Sequence, residues 1–442
     1  MVVMPHWPIY IGPDKNLEVS LLRTKLILKF LHSPHLLLKN IFHITGTKGK
    51  GSSALYVSNI LKESGYTVNT YISPHIYQCN ERILINGKAI SDKYLYILTE
   101  KVRVVCEENY ISPSCFESMT VTAMLAFAEN RADFNIIEVG MGGRLDATNL
   151  FEYNPPLVAI FTPIHLDHKI WLGDSIAEIS WNKAFIAQKD TKSVVISAQS
   201  EQALSVLLPF LQDRQIENIY LYGRDYEVFK NEYDKSNLVF ESEKLGTFSF
   251  PVPKMQGDHQ LINASCAIAS VLSVIDVAEN VTQCAIERAI LNTINIVRLE
   301  KVESGCLINA LPKGSIFYVD GAHNQLSSYA LANFIRDLKK QNNNYLIFVA
   351  VSRSKGADNQ AFLSCLAIKE VEMIICTRAN LESLPEPPEN LAQVCCELNI
   401  KNTIAYSIKD AVDIAAKVSD GRVCYFIATG SLYIARDIRK SS

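Results

Sequence analysis

Phe42-His43-Ile44-Thr45-Gly46-Thr47-Lys48-Gly49-Lys50-Gly51-Ser52-Ser53-Ala54 is the stretch that decides how the rest of the chain is read. A short apolar, β-branched run ends in a glycine-rich loop, and the loop opens a segment, 52–64, with helical spacing of its apolar residues. A phosphate-binding loop needs this setting: glycines let backbone N–H groups turn inward around anionic oxygens, and the helix N-terminus adds partial positive charge. Lys50 can reach the β- and γ-phosphates of a nucleotide. Gly46, Thr47, Lys48, Gly49, Lys50, Gly51 and Ser52 are therefore candidate nucleotide contacts. One position is irregular. The usual pattern has Ser or Thr directly after the lysine, with its hydroxyl on Mg2+, but Gly51 stands there and Ser52 is displaced by one residue, about 100° around a helix. Another group has to complete the metal shell.

Outward from the loop, strand-like and helix-like segments alternate. FHIT (42–45), TVNTYI (67–72), NIIEVG (135–140), LVAIFT (157–162) and SVVIS (193–197) read as buried strands, and 52–64, 91–108, 118–130, 175–188 and 201–213 as helices. The alternation predicts an α/β fold with a mainly parallel sheet covered on both faces. Residues 216–252 change to short alternating segments with polar turns, which predicts a small antiparallel patch, followed by helices at 258–275 and 280–293. A second strand–helix series runs through SIFYVD (315–320), YLIFVAV (345–351), VEMIIC (371–376), NTIAYS (402–407) and RVCYFIAT (422–429). The boundary is placed near residue 297, giving domains over 1–297 and 298–442.

The chain has 442 residues, 48% hydrophobic and 20% charged, with a net charge of −3; this balance argues against nucleic acid as a partner. The N-terminal MVVMPHWPIY has no basic region before a long apolar run, and no stretch offers the roughly 18 apolar residues of a membrane span, so a cytoplasmic location is expected. Eleven cysteines, most of them inside apolar runs, read as reduced core residues in a reducing compartment, and Cys395-Cys396 lacks the spacing of a zinc site.

FHITGTKGKGSSA together with YISPHIYQCNERILING (71–87), IIEVGMGGRLDATN (136–149), HLDHKIWLGDSIAEI (165–179), MQGDHQLINASCAIA (255–269), YVDGAHNQ (318–325) and IATGSLYIARDIR (427–439) resembles the folylpolyglutamate synthase/dihydrofolate synthase family, in the family's order over nearly the whole chain. The resemblance implies a P-loop, Mur-ligase-like ATPase domain followed by a smaller Rossmann-like domain. It also implies ATP-dependent addition of L-glutamate to dihydropteroate, to the γ-carboxyl of folates, or to both, by a monomer. By resemblance, Ser73, Glu138 and His168 hold Mg2+, and Lys183 is the lysine that related ligases carry as a carbamate bridging to a second ion. Asn182 and Phe185 replace the family's usual Glu and Gly around that lysine. From the residues alone, a carboxylate ending an apolar strand is costly unless paired or metal-bound, which favours Glu138, whereas a lone His168 is more often structural and Lys183 can be a helix-surface lysine.

The same resemblance assigns Phe116 to stacking on the pterin and Asp146 to accepting its hydrogen bonds, with Arg82 also on the substrate; Phe116 reads equally as a core aromatic. It places Asn263, Arg298 and Asp320 at the nucleotide and His323 at the reacting groups, where it can assist amine deprotonation; Ser431 begins the last helix, where backbone N–H groups favour a carboxylate such as that of glutamate. Asn324 suits a helix cap, and so does Ser431. Val297 stands where the family has Gly before Arg298. Two other readings stay open: a cell-wall precursor ligase of the Mur type, and a P-loop switch protein that binds nucleotide without ligating anything.

Overall fold

The computed structural model describes residues 17–75, 78–231, 237–255, 257–294, 299–380 and 384–440. Arg298 lies outside the described residues. The chain divides into two compact units, one of residues 1–254 and 258–294, the other of 255–257 and 295–442.

The first unit is organised by an eight-stranded sheet: β1 (Ile41–Thr45), β2 (Val68–Tyr71), β3 (Ile83–Ile85), β4 (Lys88–Ala89), β5 (Phe134–Glu138), β6 (Val158–Phe161), β7 (Ser193–Ile196) and β8 (Ile219–Leu221), lying in the order β4-β3-β2-β5-β1-β6-β7-β8. From β2 across to β8 neighbouring strands are parallel, while β3 and β4 turn back antiparallel at one edge. Every residue of β1, β5, β6 and β7 is buried, as expected for strands covered on both faces by helices. Ser91, Ser114, Ser175 and Ser200 start the helices Asp92–Glu108, Cys115–Glu129, Ile176–Ala184 and Glu201–Asp213, each accepting a hydrogen bond from a first-turn amide. The order of connection reverses at β1, with β5 and β2 on one side and β6 and β7 on the other, so a crevice forms beyond the carboxyl ends of β1, β5 and β6.

Besides three short strands that it passes over (β3, β4 and one in the second unit), the sequence reading differs from the structure at β8 and at the first helix. β8, expected in the antiparallel patch, pairs parallel with β7. It follows the helix Glu201–Asp213, and a strand–helix–strand crossover delivers its second strand parallel to the first. The patch itself consists of β9 (Glu227–Lys230), β10 (Asn237–Glu241) and β11 (Phe248–Pro251), antiparallel throughout. The other departure is a helix at Leu17–Phe30, before the first expected element. Its Arg23 donates from Nε and one terminal nitrogen to the fully buried carboxylate of Glu117, at 2.8 and 2.7 Å. That forked pair fixes the first turn of the helix Cys115–Glu129, which carries Phe116.

The second unit holds a six-stranded sheet of β12 (Glu300–Val302), β13 (Ile316–Val319), β14 (Leu346–Val351), β15 (Met373–Cys376), β16 (Asn402–Ile404) and β17 (Cys424–Thr429), in the order β12-β13-β17-β14-β15-β16. All pairings are parallel except that of the edge strand β12. Cys106, Cys266, Cys376, Cys395 and Cys424 are buried as expected, but Cys284, Cys306 and Cys396 are exposed, each on the outer face of a short helix. Among the described residues no helix is long and apolar enough to cross a membrane.

Candidate active site

Gly46 leaves β1 with φ +146°, and a side chain there would lie 1.9 Å from Thr162 Oγ1 and 2.7 Å from the Thr162 carbonyl oxygen at the end of β6. Gly49 (φ +85°) caps the helix Lys50–Glu63, and a side chain there would meet Asn263 Oδ1 at 2.2 Å. Only glycine fits either place. Thr47 is clamped to the loop after β6: its amide donates to the Pro163 carbonyl at 2.9 Å, its hydroxyl to that of His165 at 3.1 Å. Asn263, far away in sequence, thus sits directly over the loop, its own Nδ2 donating to Gln260 Oε1 at 3.1 Å.

Lys50 and Lys183 converge on one atom. Lys50 Nζ donates to the Gly46 carbonyl at 3.2 Å and Lys183 Nζ to the same carbonyl at 2.9 Å. Lys183 is only 3% exposed, and burial, reinforced by the nearby Lys50 charge, pulls its pKa down to about 7. It is therefore not a helix-surface lysine. Glu138, also 3% exposed, ends β5 with Oε2 accepting the Ser73 amide at 2.9 Å. A Cβ at Gly51 would stand 3.4 Å from the same Oε2. Gly51, Ser73 and Glu138 thus meet at one point beyond the strand ends. His168 begins the short helix Lys169–Leu172 with φ 52°; burial lowers its pKa, opposed by Asp167 and reinforced by Lys50, Lys183 and Lys48. Among the described residues no three His, Cys, Asp or Glu side chains group closely enough to hold a metal by themselves.

The loop after β5 forms the adjoining wall. Thr45 Oγ1 donates to the Gly142 carbonyl at 2.6 Å, and the Arg144 amide donates to the Asn182 carbonyl at 2.7 Å, tying this loop to β1 and to the helix of Lys183. Phe116 lies against Gly140, where an added Cβ would be 2.3 Å from the ring, so part of the ring meets bare backbone; the side chain packs on the core but is only half-buried. Asp146 is nearly buried and already employed: Oδ2 accepts the Met141 amide at 2.8 Å, Oδ1 the Thr148 amide at 2.9 Å and the Thr148 hydroxyl at 2.6 Å. Burial raises its pKa, against the effect of those donors. Arg82 donates through Nε to His75 Nδ1 at 2.9 Å.

In the second unit, Asp320 ends the β13 run, its Oδ1 accepting the Ala322 amide at 2.9 Å and its Oδ2 the Leu299 amide at 3.1 Å. His323 Nδ1 lies 2.9 Å from the Gly321 carbonyl, which can only accept, so Nδ1 carries the proton. Asn324 caps the helix Gln325–Gln341, as its place in the sequence suggests, and Ser431 Oγ accepts the Tyr433 amide at 3.2 Å at the start of the last helix. A residue the sequence reading passed over organises this region. Arg353, 2% exposed, donates to the His323 carbonyl at 2.6 Å and the Gly430 carbonyl at 3.2 Å, with its guanidinium 4.3 Å over the Phe362 ring. A lone Arg after an apolar strand carried no signal of this, because the carbonyls of residues 323 and 430 that it holds are backbone atoms far from it in sequence.

A glycine-rich loop at the carboxyl end of a parallel sheet, two convergent lysines and a buried carboxylate make a site suited to the phosphates of a nucleotide. The Mur ligase middle domain matches residues 44–271, and the C-terminal domain of dihydrofolate synthetase matches 309–441. The dihydrofolate synthase/folylpolyglutamate synthase of Bacillus subtilis (strain 168) is 31% identical over 420 residues, covering 90% of this chain and 89% of that protein. The folylpolyglutamate synthase of Mycobacterium tuberculosis, solved with ADP and AMPPCP, superposes with a TM-score of 0.81 at 26% identity, covering 95% of each chain. That of Thermotoga maritima gives 0.78 at 28% identity, covering 95% of this chain and 92% of its own. The chain belongs to the folylpolyglutamate synthase/dihydrofolate synthase family, and it is an ATP-dependent ligase that adds glutamate to a pteroate or folate acid.

Proposed function

We propose that this chain joins both dihydropteroate and the γ-carboxylate of folates to the amine of L-glutamate through an acyl phosphate. Ser73, Glu138 and His168 would hold one Mg2+ ion, and a carbamate on Lys183 would hold a second. The meeting of Gly51, Ser73 and Glu138 carries the metal assignment. The hydroxyl absent at Gly51 is replaced by Ser73, whose amide orients Glu138 at 2.9 Å, and a carboxylate with a hydroxyl is a donor set suited to a hard cation that keeps several waters. A bound divalent ion would neutralise phosphate charge and align the reacting oxygens.

In the reaction, the acid's carboxylate oxygen takes the γ-phosphoryl group of ATP and ADP leaves. The lone pair of the deprotonated glutamate amine then attacks the acyl carbon and phosphate departs, leaving the amide. The loop Gly46–Ser52 and Lys50 hold the phosphates and balance the charge on the group in transfer. Asn263, Arg298 and Asp320 contact the nucleotide. Phe116, backed by Gly140 and only half-buried, stacks on the pterin with the surface that Gly140 leaves open, and Asp146 and Arg82 also contact the pterin. Ser431 receives the glutamate carboxylate, and His323, protonated on Nδ1, presents Nε2 as the base toward the amine. The enzyme works as a cytoplasmic monomer. The test is phosphate release by purified protein. It should require Mg2+, glutamate and an acid together, with dihydropteroate and tetrahydrofolate each sufficing as the acid. Release without either acid would instead mark a nucleotide switch.

Carbamate formation needs a neutral amine: the lysine nitrogen attacks CO2 and a proton is released. A pKa of about 7 makes Lys183 largely neutral just above neutrality. Because this value is depressed from its ordinary 10.5, burying Lys183 costs stability in full below pH 7, and the cost fades as pH rises toward 10.5. Enzyme freed of CO2 is expected to lose activity, most severely below pH 7, and to recover it on adding bicarbonate above pH 7. Activity indifferent to bicarbonate throughout would refute the carbamate.

A further inference from the structure

His43 has no part in the chemistry above, yet it is a titratable ring with no exposed surface in the middle of the central strand β1. Its Nε2 lies 3.0 Å from Thr148 Oγ1, which lies 2.6 Å from Asp146 Oδ1. The direction of this chain of hydrogen bonds follows from its donors. Asp146 accepts backbone amides on both oxygens, so the carboxylate is the acceptor throughout. The single hydroxyl proton of Thr148 therefore goes to Asp146, the hydroxyl oxygen accepts from His43, and Nε2 is the protonated ring nitrogen. Nδ1 is left as a buried acceptor with no hydrogen-bond partner among the described residues. Burial holds the pKa of the ring down to about 3, so it stays neutral at any working pH. An apolar side chain would fill the same space against the edge of Phe151, 5.5 Å away, without orphaning a nitrogen; packing alone does not account for an imidazole here.

We propose that His43 is a positioning residue for the acid substrate: through Thr148 it fixes the Asp146 carboxylate, and with it the loop 140–148, against the strand that carries the phosphate loop. Thr45, two residues along the same face of β1, supplies a second strut through its 2.6 Å bond to the Gly142 carbonyl. The inference rests on the assignment of Phe116 and Asp146 to the acid, and its test separates the two.

His43→Gln keeps an N–H donor where Nε2 stands, and His43→Leu removes it. In His43→Leu the KM for dihydropteroate is expected to rise about tenfold while those for ATP and glutamate stay within about twofold. Hydrogen exchange at the Met141 and Thr148 amides should quicken in the same variant. His43→Gln should behave as the natural protein on every count. Unchanged exchange in His43→Leu, or an equal rise in all three KM values with a lowered melting temperature, overturns the proposal. Faster exchange with the acid's KM unmoved overturns the assignment of this loop to the acid and the role of His43 toward it, while leaving His43 as the support of the loop. Should His43→Leu not fold, Thr148→Val breaks the same chain at near-constant shape and is read by the same measurements.

Discussion

Lys50→Ala is expected to lower turnover at saturating ATP by about a hundred- to a thousandfold or more, the scale found when one preorganised charge on a developing anion is removed. The melting temperature should barely move. Among the described residues the ammonium bonds only to the Gly46 carbonyl of its own loop, and alanine is the best helix former for the position it would occupy, the first turn of Lys50–Glu63. Truncating a half-buried lysine opens no core cavity. Turnover that is unchanged with ATP in excess would remove Lys50 from the phosphate site.

Gly46→Ala should damage both fold and activity, for a different reason. The new Cβ would sit 1.9 Å from Thr162 Oγ1 and 2.7 Å from the Thr162 carbonyl oxygen; the hydroxyl can rotate away, but the carbonyl belongs to the end of β6 and cannot. Relief requires moving the loop whose carbonyl both Lys50 and Lys183 grip. A loss of about 2–3 kcal/mol is expected, combining strain at positive φ with overpacking, together with near-complete loss of ligation. Gly65→Ala is the comparison. Its φ is +88° but nothing lies within 4 Å of the added carbon, so only the left-handed backbone cost of about 1–2 kcal/mol should appear, with activity retained. Thermal melts and phosphate-release assays on the pair check this. Equal effects at the two glycines would mean that the contact with β6 has no bearing on the loop.

The central strands were legible because burial on both faces leaves an unbroken apolar run: FHIT, NIIEVG, LVAIFT and SVVIS coincide with β1, β5, β6 and β7 to within two residues. Three short strands at or next to a sheet edge were not. Ile83–Ile85, Lys88–Ala89 and Glu300–Val302 are two or three residues long, too short for any period to show. The direction of β8 was misread because alternation in the sequence gives a strand's faces and not its neighbour. In the site, Gly46, Gly49 and Lys50 could be read from local spacing. The convergence of Lys183 with Lys50 needed the fold, since a lysine 133 positions further on gives no hint that it reaches the same carbonyl. Asp146 shows the opposite limit: a motif aspartate reads as a ligand contact, while its bonds to Met141 and Thr148, which build the loop, are invisible until the backbone closes around it.

Arg353 grips residues 323 and 430 by their main-chain carbonyls, and so is blind to what side chain stands at 323. Under mutational drift the two properties come apart. The group offered at position 323 can be exchanged while the path of the backbone there stays where the guanidinium holds it, and the exchange of Arg353 itself would release segments that lie 107 positions apart. This region of the second unit can thus acquire new reactivity by changing one residue, provided that a different residue, which offers no reactivity of its own, is left alone.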